Sequence, residues 1–416
     1  MRPRIMTFLF FIVFFLVIDF YLFQAVLSVS QDWSSVWRKV IRYGFWVPTI
    51  LSIATLCWWM FADPYRFTSG MRNWILTGLF ATYFSKIFGI LFVFVDDIQR
   101  GVRWVASLFN TGGGETLPGK AIPRSEFLTK AALIATTIPF GAMAYGILSG
   151  AHDYRIRRVS LNLPNLPKSF DGIRIGHISD IHSGSFFNKT AVKGGVEMLM
   201  NEKPDLIFFT GDLVNNQATE VQDYIRIFDK IKAPLGVYSV TGNHDYGDYH
   251  NWSSREEKTS NFRDLIKAHE LLGYKLLMND HHIIKQGLDK IAILGNENWG
   301  GRGFSQYGKL AQAYEGTEEA QVKLLLSHDP SHWDAQVRTE FPDIDAMFAG
   351  HTHGFQFGIE IGGFKWSPSQ YAYKQWSGLY QEGNQYLYVN RGFGYLGYPG
   401  RIGMPPELTI VELKTG

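Results

Sequence analysis

Hydrophobic and polar positions are patterned on two scales along this chain. Up to residue 150 the apolar residues form blocks at about 5–27, 43–62, 73–95 and 131–150. Each is near the ~20 residues a bilayer helix needs. Trp37, Trp46, Trp58, Trp59, Trp74 and Trp104 fall near the predicted ends, where an interfacial aromatic belt would place them. The first block is too long and uninterrupted for a cleaved leader, and no A-x-A site follows it. Beyond residue 170 the apolar runs shorten to IRIGHIS, DLIFFT, GVYSVT, VKLLLS and AMFA, each read as a buried strand ending in a polar cluster.

Between these strands, Phe262, Leu265, Ile266 and Leu272 give Asn261 through Leu272 an amphipathic helical pattern, ended by Gly273. Strands recur without intervening helices near 282–295 and 386–412, which favours two packed sheets flanked by helices over one doubly wound sheet. The polar, aperiodic segment 248–260 reads as a loop over the strand ends. The expected organisation is a four-helix membrane region over 1–150, a juxtamembrane linker over 151–170 and a globular domain over 171–416. Pro164 and Pro167 keep the linker extended, and Arg155, Arg157 and Arg158 are expected at lipid headgroups rather than at a substrate phosphate. Asp19 and Lys86 lie inside the first and third spans. They allow a buried pair or ion pathway, but the favoured reading puts Asp19 near an interface and has Lys86 snorkelling or packed in the bundle.

Composition narrows the chemistry. Lys+Arg 40 against Asp+Glu 38 leaves a net charge of +2, which argues against a strong nucleic-acid footprint. The one cysteine, Cys57, sits in an apolar run, so neither a disulfide framework nor a thiolate metal site is expected. All 12 histidines lie from His152 onward. Strand ends carry Ser179-Asp180-Ile181-His182, Gly211-Asp212, Gly242-Asn243-His244-Asp245, Ser327-His328-Asp329 and Gly350-His351-Thr352-His353-Gly354. In α/β sheets, functional groups gather at the carboxyl ends of strands. Imidazole, carboxylate and one amide suit Mn, Fe or Zn.

The order D-x-H, G-D, G-N-H-D, an isolated His and G-H-x-H resembles the calcineurin-like metallophosphoesterases over roughly residues 170–412. The tail, Tyr388-Val389-Asn390-Arg391-Gly392-Phe393-Gly394 followed by Pro405-Pro406-Glu407, looks like the membrane-attached bacterial branch. Where the family often continues with Gly-Gln after G-H-T-H-G, this chain has Phe355-Gln356, which touches the pocket rim rather than the ligands. The resemblance implies a four-layer α/β/β/α sandwich preceded by a four-helix transmembrane region. It implies two divalent cations (Mn, Fe or Zn), the first on Asp180, His182 and His353. Asp212 bridges, and Asn243, His328 and His351 complete the second site. Water is then the nucleophile on phosphorus, His244 supplies a proton to the leaving oxygen, and Asp245 either orients His244 or caps a turn.

Other residues carry weaker readings. Arg391 and Arg401 flank Gly-rich turns and are candidate phosphate clamps. His177 reads as a buried structural residue; His269, His281 and His282 read as solvated; His250 and His332 lie near the site without a spacing that demands contact. Gly295-Asn296-Glu297 ends a strand and is a weaker pocket candidate. Thr111-Gly112-Gly113-Gly114 leading to Gly119-Lys120 lacks the P-loop hydroxyl at Ala121 and reads as a loop, as does Asn298-Trp299-Gly300-Gly301.

The expected partners are the bilayer and a phosphate ester, lipid- or envelope-linked, with a lipid-linked pyrophosphate as one substrate class. The alternative is an inactive membrane sensor or binding module on the same fold; a transporter would need polar, broken spans. The expected location is the cell (inner) membrane. Four spans put the N-terminus and the domain on one side. Arg124 through Lys130 resembles a degenerate twin-arginine export signal, which with the basic-residue distribution predicts an extracytoplasmic domain.

Overall fold

The computed structural model describes residues 2–61, 69–109 and 123–416. The Gly-rich stretch Thr111 through Lys120 lies outside the described residues. The chain divides into two compact units, Met1–Ala144 and Tyr145–Gly416.

Helices α1 (Arg2–Val29), α2 (Ser35–Gly44), α3 (Val47–Phe61), α4 (Ser69–Phe109) and α5 (Glu126–Leu148) account for the apolar blocks. Four stretches are long and apolar enough to cross a membrane: Ile5–Val29, Ser35–Phe61, Trp74–Phe109 and Glu126–His152. Asp19 is buried and meets Lys86 directly. The two form a buried ion pair, and the Asp19 carboxylate also accepts from Thr49 Oγ1 at 2.6 Å and Tyr83 OH at 3.0 Å. Charges that cannot reach water are tolerated when they neutralise each other and fill their remaining hydrogen bonds. Arg124 pairs with Asp96 and Asp97 at 3.0 Å, and Ser125 N donates to Asp96 Oδ1 at the start of α5. The supposed export signal is thus built into a helix start.

In the second unit, one sheet runs β1 (Arg155–Leu163), β14 (Glu407–Thr415), β2 (Arg174–Ile178), β3 (Leu206–Phe209), β4 (Val237–Ser239), β5 (Lys275–Leu276). The other runs β12 (Gly378–Glu382), β13 (Gln385–Val389), β9 (Ala346–Ala349), β8 (Val322–Ser327), β7 (Asp289–Asn296), β6 (Asp280–Gln286). Alternating side chains sort the layers. Leu206 and Phe208 join Ile293, Leu324 and Phe348 between the sheets. Ile207 and Phe209 pack with residues of α6 (Lys189–Asn201), α7 (Ile225–Phe228) and α8 (Arg255–Leu272). On the far side, Leu294 and Met347 pack against Leu310 and Ala313 of α9 (Leu310–Tyr314) and against Trp333. The result is the α/β/β/α sandwich.

Two segments differ from expectation. The centre of the 151–170 linker is β1, paired in parallel with β14 from Arg155↔Glu407 to Leu163↔Thr415. Its arginines are held by carboxylates of the same domain, Arg157 by Glu360 and Arg158 by Glu202. An edge strand with a mostly polar face does not show a strand's apolar run. Helix α8 begins six residues earlier than its apolar pattern, because Ser254 caps Glu257 N at 3.2 Å and Glu256 and Glu257 suit the positive helix end. The loop over the site is therefore 248–254. Gly273 ends the helix with φ 78°.

Candidate metal centre

Strands β2, β3 and β4 run parallel, as do β8 and β9, and the motif residues leave their carboxyl ends. Five of these residues sit in left-handed backbone: Asp180 (φ 52°), His182 (48°), Asp212 (59°), His351 (71°) and His353 (50°). Each such non-glycine residue costs ~1–3 kcal/mol and persists only where surrounding bonds over-determine it. Here Asp180 N donates to Gly211 O at 2.9 Å, His182 N to Asp212 O at 3.0 Å, and Gly394 N to Asp180 O at 2.8 Å. Gly350 is required by proximity: a Cβ there would lie 2.2 Å from Asp180 Oδ2.

Two groups of donors result, Asp180 with His182 and His353, and Asp180 with Asp212 and His328. His182 Nε2 lies 3.1 Å from His353 Nε2, which is 3.1 Å from Asp180 Oδ1. Asp212 Oδ2 lies 3.1 Å from His328 Nε2 and 3.5 Å from His182 Nε2. His351 Nδ1 is 2.9 Å from Asn243 Oδ1 and 3.2 Å from His328 Nε2. Asp212 belongs to the second group and also approaches His182 of the first. Asp180, read from the sequence as a ligand of one metal, stands in both.

The outer nitrogens fix the rings. His328 Nδ1–H donates to Thr210 O at 2.7 Å, and His182 Nδ1 lies 3.1 Å from Asn215 Oδ1. A neutral ring so held points the Nε2 lone pair inward, at carboxylate oxygens and other lone pairs. That arrangement repels unless positive charge lies between, so the residues present fit divalent cations. In the metal-free protein a proton takes that part: although burial opposes it, the Asp212 carboxylate raises His328 to about 10. Burial pushes His182 down to about 3 and His351 to about 4. Burial also acts to raise Asp180 and Asp212, but the facing histidines hold both below the usual carboxylate range.

His244 joins neither donor group. Its N–H donates to Asp212 Oδ1 at 2.9 Å, and its Nδ1 lies 2.8 Å from Asn215 O, which places the donor hydrogen at Nδ1. Asp245 does not orient this ring. Its carboxylate accepts from the backbone N–H of Asp212 and Leu213 at 2.8 Å and of Gly242 at 2.9 Å, tying the β3 and β4 loops together. Arg391 and Arg401, the candidate phosphate clamps, are both buried and bonded within the domain. Arg401 is buried and donates to the carbonyls of Gly394, Met404, Arg391 and Gly392; Arg391 holds Ser377 Oγ and Glu360. Each nitrogen of the Arg401 guanidinium is engaged by the protein itself, as are Nε and Nη1 of Arg391.

His177 is buried against Thr210 Oγ1. His269, expected in solvent, is buried against Ser239 Oγ, and His332 is buried between Ser327 and Gln336. Sequence reasoning missed Asn215, whose carbonyl and side chain hold two site histidines, and Tyr373, whose OH is 2.8 Å from His351 Nε2. It also missed Tyr249, which accepts from Asn243 Nδ2 at 2.9 Å. Only Asn215 left a signal, three residues after Asp212 on one loop.

Comparison with known proteins falls on the same two parts. The profile of the transmembrane domain of a probable calcineurin-like phosphoesterase matches residues 2–151, and that of the calcineurin-like phosphoesterases matches residues 173–355. An uncharacterized metallophosphoesterase of Bacillus subtilis, YkuE, is 30% identical over 299 residues, covering 66% of this chain and 95% of that protein. A transmembrane protein with a metallophosphoesterase domain from Danio rerio is 29% identical over 69% of this chain, which spans 62% of that protein. An uncharacterized metallophosphoesterase of Campylobacter jejuni is 26% identical over 62% of this chain and 63% of its own length. With these matches lying over the donor cluster and the apolar helices, the chain belongs to the calcineurin-like metallophosphoesterases, hydrolases of phosphoester bonds, and is a membrane protein.

Proposed function

We propose that this protein hydrolyses a phosphate ester or pyrophosphate at a membrane surface with two divalent cations. Asp180, His182 and His353 would hold one, Asn243, His328 and His351 the other, and Asp212 would bridge. The observation that carries this is the inward convergence of imidazole nitrogens on two shared carboxylates, Asp180 and Asp212, across 3.1 Å separations. Two such cations would activate a water and offset charge on the phosphoryl oxygens. The chain's own part is to hold the donor rings through Thr210 and Asn215 and to keep the carboxylates ionised. His244, fixed at Nδ1 by the Asn215 carbonyl, offers Nε2 to the leaving oxygen.

The substrate is taken to be lipid- or envelope-linked, because the hydrolase and four candidate spans share one chain. The membrane is taken to be the cell (inner) membrane, with the domain extracytoplasmic. Eight basic residues (Arg38, Lys39, Arg42, Arg100, Arg103, Lys120, Arg124, Lys130) flank the spans on the side opposite the domain. Seven (Arg2, Arg4, Arg66, Arg72, Arg155, Arg157, Arg158) flank them on its own side. The alternative of an inactive sensor fits poorly with a full donor set, since decayed sites lose ligands first.

The test is to purify the protein, strip its metals and screen phosphomonoesters, phosphodiesters and nucleotide-sugar pyrophosphates with Mn²⁺, Fe²⁺ or Zn²⁺ restored. Hydrolysis is expected only with metal. Full activity after rigorous chelation would refute the mechanism.

A further inference from the structure

Directly after the Gly350–Gly354 loop the chain forms a two-stranded ribbon, β10 (Ile359–Ile361) and β11 (Phe364–Trp366), turned at Gly362-Gly363. Cross-strand partners share a face. Ile359 pairs with Trp366 and Ile361 with Phe364, so one face is wholly apolar; Glu360 pairs with Lys365 on the other. The charged face points at the domain. Glu360 binds Arg391 at 2.7 Å and Arg157 at 2.6 Å, while Lys365 bonds Ser377 O and lies 4.4 Å from the Trp376 ring. The apolar face points out, with Ile361 73% and Phe364 63% exposed. This inverts the usual patterning of a surface ribbon, which turns its polar side to water.

We propose that this ribbon docks into the surface of an anionic bilayer, with Ile361 and Phe364 entering the acyl boundary. Three observations select a bilayer as the occupant. The apolar tip is backed by Trp366 and by Tyr371, 77% exposed with its OH 3.4 Å from Trp366 Nε1. That order, aliphatic and Phe ahead of Trp and Tyr, is the one an interface sorts by depth. The ribbon is joined through Glu360 to Arg157 of β1, and Arg155 two residues earlier, whose 61% exposed side chain gives one nitrogen to Asp153, turns its remaining donors to solvent where lipid phosphate would meet them. The last candidate span ends at His152, shortly before β1, so a bilayer is always within reach of this domain. Phe355 and Phe357, 48% and 43% exposed, continue the apolar surface back to His353. Docking would therefore set the site at headgroup depth.

The inference stands apart from the phosphoesterase reading, because docking is read without turnover. The full chain with Cys57→Ser is labelled with an environment-sensitive fluorophore at Phe364→Cys or, as control, at Leu288→Cys, 94% exposed on the β6–β7 turn. Both are placed in nanodiscs of phosphatidylglycerol and phosphatidylethanolamine containing doxyl-labelled lipid. Quenching at 364 is expected to exceed that at 288 about fivefold or more. A probe at 364 as water-exposed as the one at 288 would overturn the proposal. So would shielding at 364 that persists in detergent with cross-linking to a second copy, which would assign the ribbon to self-association. As a second readout, Ile361→Asp with Phe364→Asp is expected to lower turnover of a bilayer-embedded phosphate ester about tenfold while leaving a soluble aryl phosphate within about twofold. Equal loss on both esters would count against docking. Quenching at 364 without hydrolysis of either ester would uphold docking and refute the catalytic reading.

Discussion

Asp212 and His244 touch each other through a backbone bond yet call for opposite outcomes on substitution. Asp212→Asn removes the charge that faces two imidazoles, and is expected to lose most activity and at least one equivalent of metal. His244→Ala is expected to keep both metals and lower turnover ~10²–10⁴-fold, the range for a lost general acid. Metal analysis of the two variants separates them; metal loss in His244→Ala would make it a ligand. Protonation gives a second handle. In the metal-free protein His328 is raised from 6.5 to about 10 by the Asp212 carboxylate, against its own burial. A raised value contributes stability that is fully present below the unfolded pKa and lost as pH rises through the folded one. Between pH 6.5 and about 10 the metal-free protein should therefore lose stability. His182 and His351, lowered by burial, exert their effect only below 6.5. Metal must displace the His328 proton, so adding Mn²⁺ at pH 8 in weak buffer is expected to release close to one proton per protein, on filling of the site that His328 serves. A pH indicator in the titration reads it.

At the scale of elements, strand ends were legible and their braces were not. The runs before Asp180, Asp212, Asn243, His328 and His351 are all strands, because a buried strand shows as an apolar run whatever follows it. β1 was missed because an edge strand's outer face is polar, and the first turns of α8 because helix-start signals lie in polar residues. Arg391 and Arg401 show the deeper limit. A guanidinium beside a Gly-rich turn has the same sequence signature whether its five donors meet phosphate or carbonyls. Only the folded loop reveals that Arg401 closes residues 391–404 on themselves. Arg401→Gln is accordingly expected to act on stability. Losing several charged hydrogen bonds to buried carbonyls costs ~3 kcal/mol or more, which is about 5–10 °C in Tm for a domain of this size. KM for a small phosphate ester should stay within about twofold. A large rise in KM at unchanged Tm would restore Arg401 as a substrate contact.

For the whole molecule, an even number of spans fixes one relation and leaves another to charge. Four spans that all cross would put the N-terminus and the hydrolase on the same side. Which side depends on a difference of eight basic residues against seven, small enough that other features matter. The Arg124 segment contributes less than its sequence promises, since Arg124 is paired with Asp96 and Asp97 and leads straight into α5. The three arginines of β1 also count for less, because each is engaged by a nearby carboxylate, Arg155 by Asp153, Arg157 by Glu360 and Arg158 by Glu202. On the opposite side Arg100 and Lys130 are paired as well, with Asp97 and Glu126, so discounting the pairs seen among the described residues leaves five basic residues against four, a margin that still favours an extracytoplasmic domain. Alkaline phosphatase fused after Gly416 is then expected to be active and a fluorescent protein fused there to be dark, each read in intact bacterial cells. A bright fluorescent fusion with a silent phosphatase would place the domain in the cytoplasm. The donor geometry would be unaffected, but the lipid phosphates within its reach would be those of the inner leaflet.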